Sequence, residues 1–97
     1  MKLLSIKKSD KPDKKMMAIF FNPKTGRENT THFGSAGMSD YTINKDPVRR
    51  ELYITRHFKN EDWNDPTSAG ALSRYVLWEK TSLAAGISAY KKRFGFA

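Results

Sequence analysis

Six apolar residues in a row, Met16-Met17-Ala18-Ile19-Phe20-Phe21, constrain this chain more than anything else in it. The run is the longest of its kind here and falls far short of the roughly 20 residues needed to cross a membrane. Its length is that of a strand, and the absence of alternation predicts a strand covered on both faces. The neighbours agree. Asn22-Pro23-Lys24-Thr25-Gly26 reads as a hairpin connection, with Pro fixing φ and Gly free to take φ > 0. Glu28 to Phe33 is then a polar, Thr-rich return strand with the chemistry of an edge. Before the run, Leu4 and Ile6 alternate with Leu3 and Ser5 in a short first strand, and Ser9 to Asp13, with Pro12 inside it, makes a loop.

From Asp46 the signals turn helical. Asp46-Pro47 is an N-cap followed by Pro at the first helical position, and Asp65-Pro66 repeats the device. At 100° per residue, Val48, Leu52, Thr55 and Phe58, joined by Ile54, share one side of the first helix, which predicts their burial. Arg49, Arg50, Tyr53, Arg56 and His57 fall on the opposite side. The second helix, about Pro66 to Trp78, turns Ala69, Leu72, Tyr75, Val76 and Leu77 inward. With Ala71 and Trp78 on its other side, it is apolar nearly all round and reads as central. A third helix follows a Thr81 or Ser82 cap with the stripe Leu83, Gly86, Ile87, Tyr90 and Phe94, and Gly95 stops it. The expected architecture is α+β: an N-terminal three-stranded antiparallel meander followed by three helices, in one domain of 97 residues.

Charge narrows the function. Lys and Arg number 18 against 10 Asp and Glu, for a net charge of +8. Residues 1–27 carry net +6, residues 28–66 net −2 and residues 67–97 net +4, so the excess sits at the two ends of the chain. Such a field attracts polyanions, although charge of this size also serves solubility alone. There is no Cys, hence no disulfide framework and no thiolate zinc site, which fits a reducing compartment. His32 and His57 are too few and too far apart for a His-based metal site, no carboxylate pair stands out, and no Ser sits in a recognised order with His and acid. The expectation is a binding protein with no catalytic activity, no cofactor and no metal. Only a pocket gathering His57, Asp40 and Tyr41 would point to catalysis.

Four groups are candidate anion contacts. The face Arg49, Arg50, Tyr53, Arg56 and His57 joins guanidinium forks suited to phosphate with an aromatic at contact spacing. It carries no Asn or Gln for base edges, so contact would be to the backbone. Lys7, Lys8, Lys11, Lys14 and Lys15 bracket the first hairpin loop, where they can reach along a polyanion or simply guard strand ends against aggregation. Lys91, Lys92 and Arg93 occupy the last turn of the third helix, where they also favour its dipole. Gly34 and Gly37, in Gly34-Ser35-Ala36-Gly37-Met38-Ser39-Asp40-Tyr41-Thr42, could present N–H groups to a phosphate or serve only as an irregular connection.

These residues also carry a resemblance. Phe33-Gly34-Ser35-Ala36-Gly37-Met38-Ser39-Asp40-Tyr41-Thr42, Lys45-Asp46 and Tyr53-Ile54-Thr55-Arg56-His57 form one block. Trp63 to Trp78 forms a second, and Tyr90-Lys91-Lys92-Arg93-Phe94 closes the pattern. Over residues 15–94 the chain resembles a family of small uncharacterised proteins encoded mainly by large nucleocytoplasmic DNA viruses of algae and amoebae, departing from it at Met38, where an aromatic is usual, and near Thr81, where a Pro is. The resemblance implies a viral source, a host cytoplasm or nucleus and, for a basic domain, one of two settings: association with viral DNA or RNA, or a minor structural place in the virion beside a virion or host protein. The leading expectation is sequence-tolerant nucleic-acid binding. Its rival is a structural or interaction protein, which an exposed patch around Trp63, Trp78 or Phe96 would favour.

Overall fold

The computed structural model describes residues 1–97. Strands β1 (Lys2–Lys8), β2 (Lys14–Asn22) and β3 (Arg27–Ser35) form an antiparallel meander in that order, so the apolar run lies in the central strand and is paired on both edges. Leu3 faces Phe20 and Ile6 faces Ala18 across one ladder, and Met16 faces Phe33 across the other. Leu3 and Ile6 are three residues apart and would point to opposite faces of a regular strand. A bulge between Leu3 and Ser5 corrects the parity, so both pack against the core while Leu4 is left outside.

The expected cover on both faces of β2 is not found. Ala18 and Phe20 are fully buried, but alternation sends Met17, Ile19 and Phe21 to the other face, where they are half-buried and outside the core cluster. Antiparallel sheets commonly leave one face to solvent. The neighbours Lys2, Lys7, Glu28 and Thr30 supply the polar surroundings there.

Four helical elements follow. An unexpected single turn, α1 (Tyr41–Asn44), starts where the Asp40 carboxylate accepts the Thr42 N–H and ends at Lys45 in the left-handed region. Next comes α2 (Pro47–His57), begun as expected by Asp46, which accepts from the Val48 and Arg49 N–H groups. The third, α3 (Ala69–Leu72), continues directly as a π-helical stretch, Ser73–Leu77. Its cap is Ser68 rather than Asp65. Asp65 instead closes a turn onto Thr67, and the carbonyls that an earlier start would need are taken: Tyr90 donates to Pro66 O at 2.5 Å and Thr31 to Thr67 O at 2.7 Å. Last is α4 (Leu83–Phe94), capped by Ser82 and stopped by Gly95 at φ 73°. No helix is long and apolar enough to cross a membrane.

The core is a sandwich about the α3–π segment. Ala71, Leu72, Tyr75, Val76 and Leu77 are buried, with Ala18, Phe20 and Phe33 of the sheet and Tyr90 of α4 completing the cluster. The segment expected to be central is so, although Ala69, expected to turn inward, is exposed at its first turn. α4 approaches it through Gly86, where a Cβ would lie 2.1 Å from the Val76 carbonyl oxygen.

Backbone against backbone cannot give way as a side chain can, so Gly86→Ala should destabilise the fold by about 3 kcal/mol. For a domain of this size that lowers Tm by roughly 10–20 °C. Thermal unfolding followed by circular dichroism tests it, and a melt unchanged within a few degrees would contradict the close approach.

A cationic cleft beside helix α2

The largest departure from sequence expectation lies in α2. Val48, Leu52, Thr55 and Phe58, expected in the core, are exposed and Ile54 is half-buried, whereas Arg50, Tyr53 and His57, expected outside, face the body of the protein. The inward side is held by polar and stacking contacts. Arg50 donates to the Trp78 carbonyl at 2.9 Å, to Glu51 at 2.9 Å and to Glu79 at 2.8 Å, and its guanidinium lies 5.7 Å from the Tyr41 ring centre. The Tyr53 ring is sandwiched between Trp78 and His57. Burial, reinforced by Glu61, pushes the Tyr53 phenol well above its usual pKa, so it stays neutral. His57 Nδ1 meets Glu61 at 2.8 Å, and the other Glu61 oxygen accepts the Trp63 Nε1–H at 3.0 Å.

Because α2 stands on these contacts, a cleft of about 450 Å³ opens between it, the β2–β3 end of the sheet and α3. Lys14, Lys15, Arg49, Arg56 and His57 line it, with Asp40 and Glu61 as the acidic groups. The acids are engaged. Asp40 is buried, accepts from both the backbone N–H and the hydroxyl of Thr42, and holds Lys15 Nζ at 2.6 Å. Lys14, Arg49 and Arg56 take part in none of the ion pairs. A second, shallower depression shares Lys14 and Lys15 and is lined also by Lys8, Lys11 and the exposed Asp10. The hairpin lysines and two arginines of α2, distant in sequence, therefore share one surface.

Other candidates are placed elsewhere. Arg50 is bound to Glu79 and the Trp78 carbonyl, so it fastens the helix rather than facing a ligand. Lys7 is exposed at the end of β1, outside both depressions. Lys91, Lys92 and Arg93 line neither, and Arg93 lies over the Tyr75 ring at 4.3 Å. Gly34 and Gly37 both take positive φ. At Gly34 a Cβ would also lie 2.8 Å from Leu77 Cδ1, so packing alone accounts for that glycine, whereas Gly37 faces open space. His57 and Asp40 share the cleft, but Tyr41 does not line it. No group of three or more His, Cys, Asp or Glu is arranged to hold a metal. Ser73 and Glu61 also line it, although no sequence pattern assigned either a functional role, and Trp78, which periodicity placed on the far side of the second helix, stands at the cleft.

Residues 4–57 match a family of unknown function (DUF5754), and with more than half its length matched the chain belongs to that family. The matched segment contains every free cation of the cleft and ends at His57; Trp78 lies beyond it. No curated protein matches the chain, and no solved structure does.

Glu79 secures this arrangement by pairing with Arg50 at 2.8 Å and Arg74 at 2.9 Å. Burial opposes its ionisation, but the two guanidinium groups outweigh burial and hold its carboxyl below the usual range. A carboxyl depressed on folding stabilises above the unfolded pKa, and that stability is lost as pH falls through the folded one. Glu79→Gln should therefore melt well below the wild type at pH 7, with the gap closing below about pH 4 as the wild-type group protonates. Melts recorded from pH 7 to pH 2 check this; a gap independent of pH would contradict it.

Proposed function

We propose that this protein binds nucleic acid without sequence preference, through backbone phosphates laid along the track from Lys8 and Lys11, past Lys14 and Lys15, to Arg49 and Arg56. One observation carries the reading: Lys14, Arg49 and Arg56 converge on one cleft with no carboxylate of their own. Cations kept unpaired beside one another repel, and an anion relieves that cost. The net charge of +8 adds long-range steering toward a polyanion. Within the cleft Asp40 and Glu61 are both engaged, in keeping with contact to phosphate there, while Asp10 is the one carboxylate exposed in the second depression beside Lys8 and Lys11. The setting in a large DNA virus implied by the resemblance belongs to the same proposal.

Binding of labelled DNA and RNA over about 50–300 mM salt tests it. Each phosphate contact contributes roughly 0.7–0.9 to the log-log salt slope, so K14A/R49A/R56A should lower the slope by about 2–3 on every sequence alike. K91A/K92A, on the last turn of α4 and away from both depressions, serves as the charge control. Unchanged affinity and slope in the triple variant would remove the site assignment.

A second reading, self-association, has its own observation. Val48 and Phe58 are each 66% exposed, and Leu52, 48% exposed, reaches the lining of the cleft, whereas Trp63, Trp78 and Phe96 are half-buried and packed on the core. If this apolar side of α2 docks on a second copy, sedimentation velocity will show an oligomer that survives high salt and that V48D/F58D, at two exposed positions outside both depressions, dissolves. A monomer at every concentration and salt would exclude it.

A further inference from the structure

The cleft is more than a set of charges, because its wall carries a column of rings. Trp78 lies 4.4 Å from Tyr53 with 5° between their planes, and Tyr53 lies 4.2 Å from His57 at 26°. Both faces of Tyr53 are thereby covered, and the column ends at His57, whose side chain is 41% exposed. This last ring is held in place. Its Nδ1 is bonded to Glu61, which is itself fixed by Trp63 and lies so close to Gly70 that a Cβ there would approach it to 2.9 Å. A flat, oriented, partly exposed ring thus stands beside two unpaired arginines, at a cavity of about 450 Å³.

That volume suits one nucleotide and cannot admit a duplex. Within a duplex each internal base has both faces covered by its neighbours, so away from strand ends an unpaired base is what can offer a face to His57. Stacking platforms beside cationic grooves are how sequence-tolerant single-strand binders work, since every base has a π-face.

We propose that the cleft takes one unpaired nucleotide of a single strand, its base stacking on His57 as the fourth ring and its phosphates meeting Arg49, Arg56 and Lys14. This rests on the phosphate-binding reading and narrows its partner to single-stranded nucleic acid. Tyr53, sandwiched within the column, is a positioning residue that sets the plane on which the base lies.

The test uses the full chain and an oligonucleotide carrying 2-aminopurine, whose fluorescence falls when the base stacks, presented single-stranded or annealed to its complement. The single strand should bind more tightly than the duplex at equal salt, with its fluorescence quenched. One stacked base is worth roughly a five- to hundredfold change in affinity, so His57→Ala should weaken single-strand binding by that factor and abolish the quench. His57→Phe should restore both, because it keeps a ring and loses the Glu61 bond. Equal binding of both forms by the wild type, without quenching, would overturn the stacking inference and leave the phosphate track standing. Equal loss in H57A and H57F would overturn it too, by showing that His57 acts through Glu61. No binding of either form at about 50 mM salt would remove the track and the inference together.

Discussion

Apolar packing on two sides of one short segment, Ala71–Leu77, positions everything else. The sheet presents Ala18, Phe20 and Phe33 to it, and α4 presents Tyr90 and the bare backbone at Gly86. Full burial of a large apolar side chain is worth about 1.5–3 kcal/mol, so this layer holds most of the available hydrophobic stabilisation. Its end bears Trp78 and Glu79, and from these α2 is hung. The cleft therefore exists because a well-packed core delivers one aromatic ring and one carboxylate to its margin.

The attachment of α2 is of a different kind. It contributes no fully buried residue, and its inner side is a guanidinium, a phenol and an imidazole. Hydrogen bonds to charged groups contribute about 1.5–3 kcal/mol each, comparable with burying one apolar side chain. Two bonds from Arg50, to the Trp78 carbonyl and Glu79, together with the Tyr53–Trp78 stack, outweigh the apolar side of the helix, which then faces outward. A helix fastened this way leaves space beside it, whereas an apolar face pressed onto the core would have closed the cleft.

The electrostatics follow from the same geometry. The acids near the site are spent inward: Asp40 on Lys15 and the start of α1, Glu61 on His57 and Trp63, Glu79 on Arg50 and Arg74. What remains at the surface is Lys14, Arg49 and Arg56. In the cleft a modest positive excess becomes a local concentration of cations because its two carboxylates, Asp40 and Glu61, are occupied.

Much of the fold is written locally in the chain. The meander follows from an apolar run bounded by turn residues, α2 from Asp46-Pro47, and α4 from Ser82, its stripe and Gly95. These are short-range devices, each complete within a few residues, and so readable without knowing the fold. Periodicity also separates the two sides of α2, but it cannot choose which one turns inward, because that depends on partners about 30 residues away at Trp78 and Glu79. The same holds for Asp65, whose capping role passes to Ser68 once Tyr90 and Thr31 claim the intervening carbonyls, and for the parity of β1, which a bulge decides. The sequence by itself determined the elements, the central segment and the positive charge. Only the tertiary structure decided that Lys14, Arg49 and Arg56 meet, that Arg50 is withdrawn, and that His57 ends a stack. Those outcomes depend on contacts between distant parts of the chain, whose energies no local pattern records.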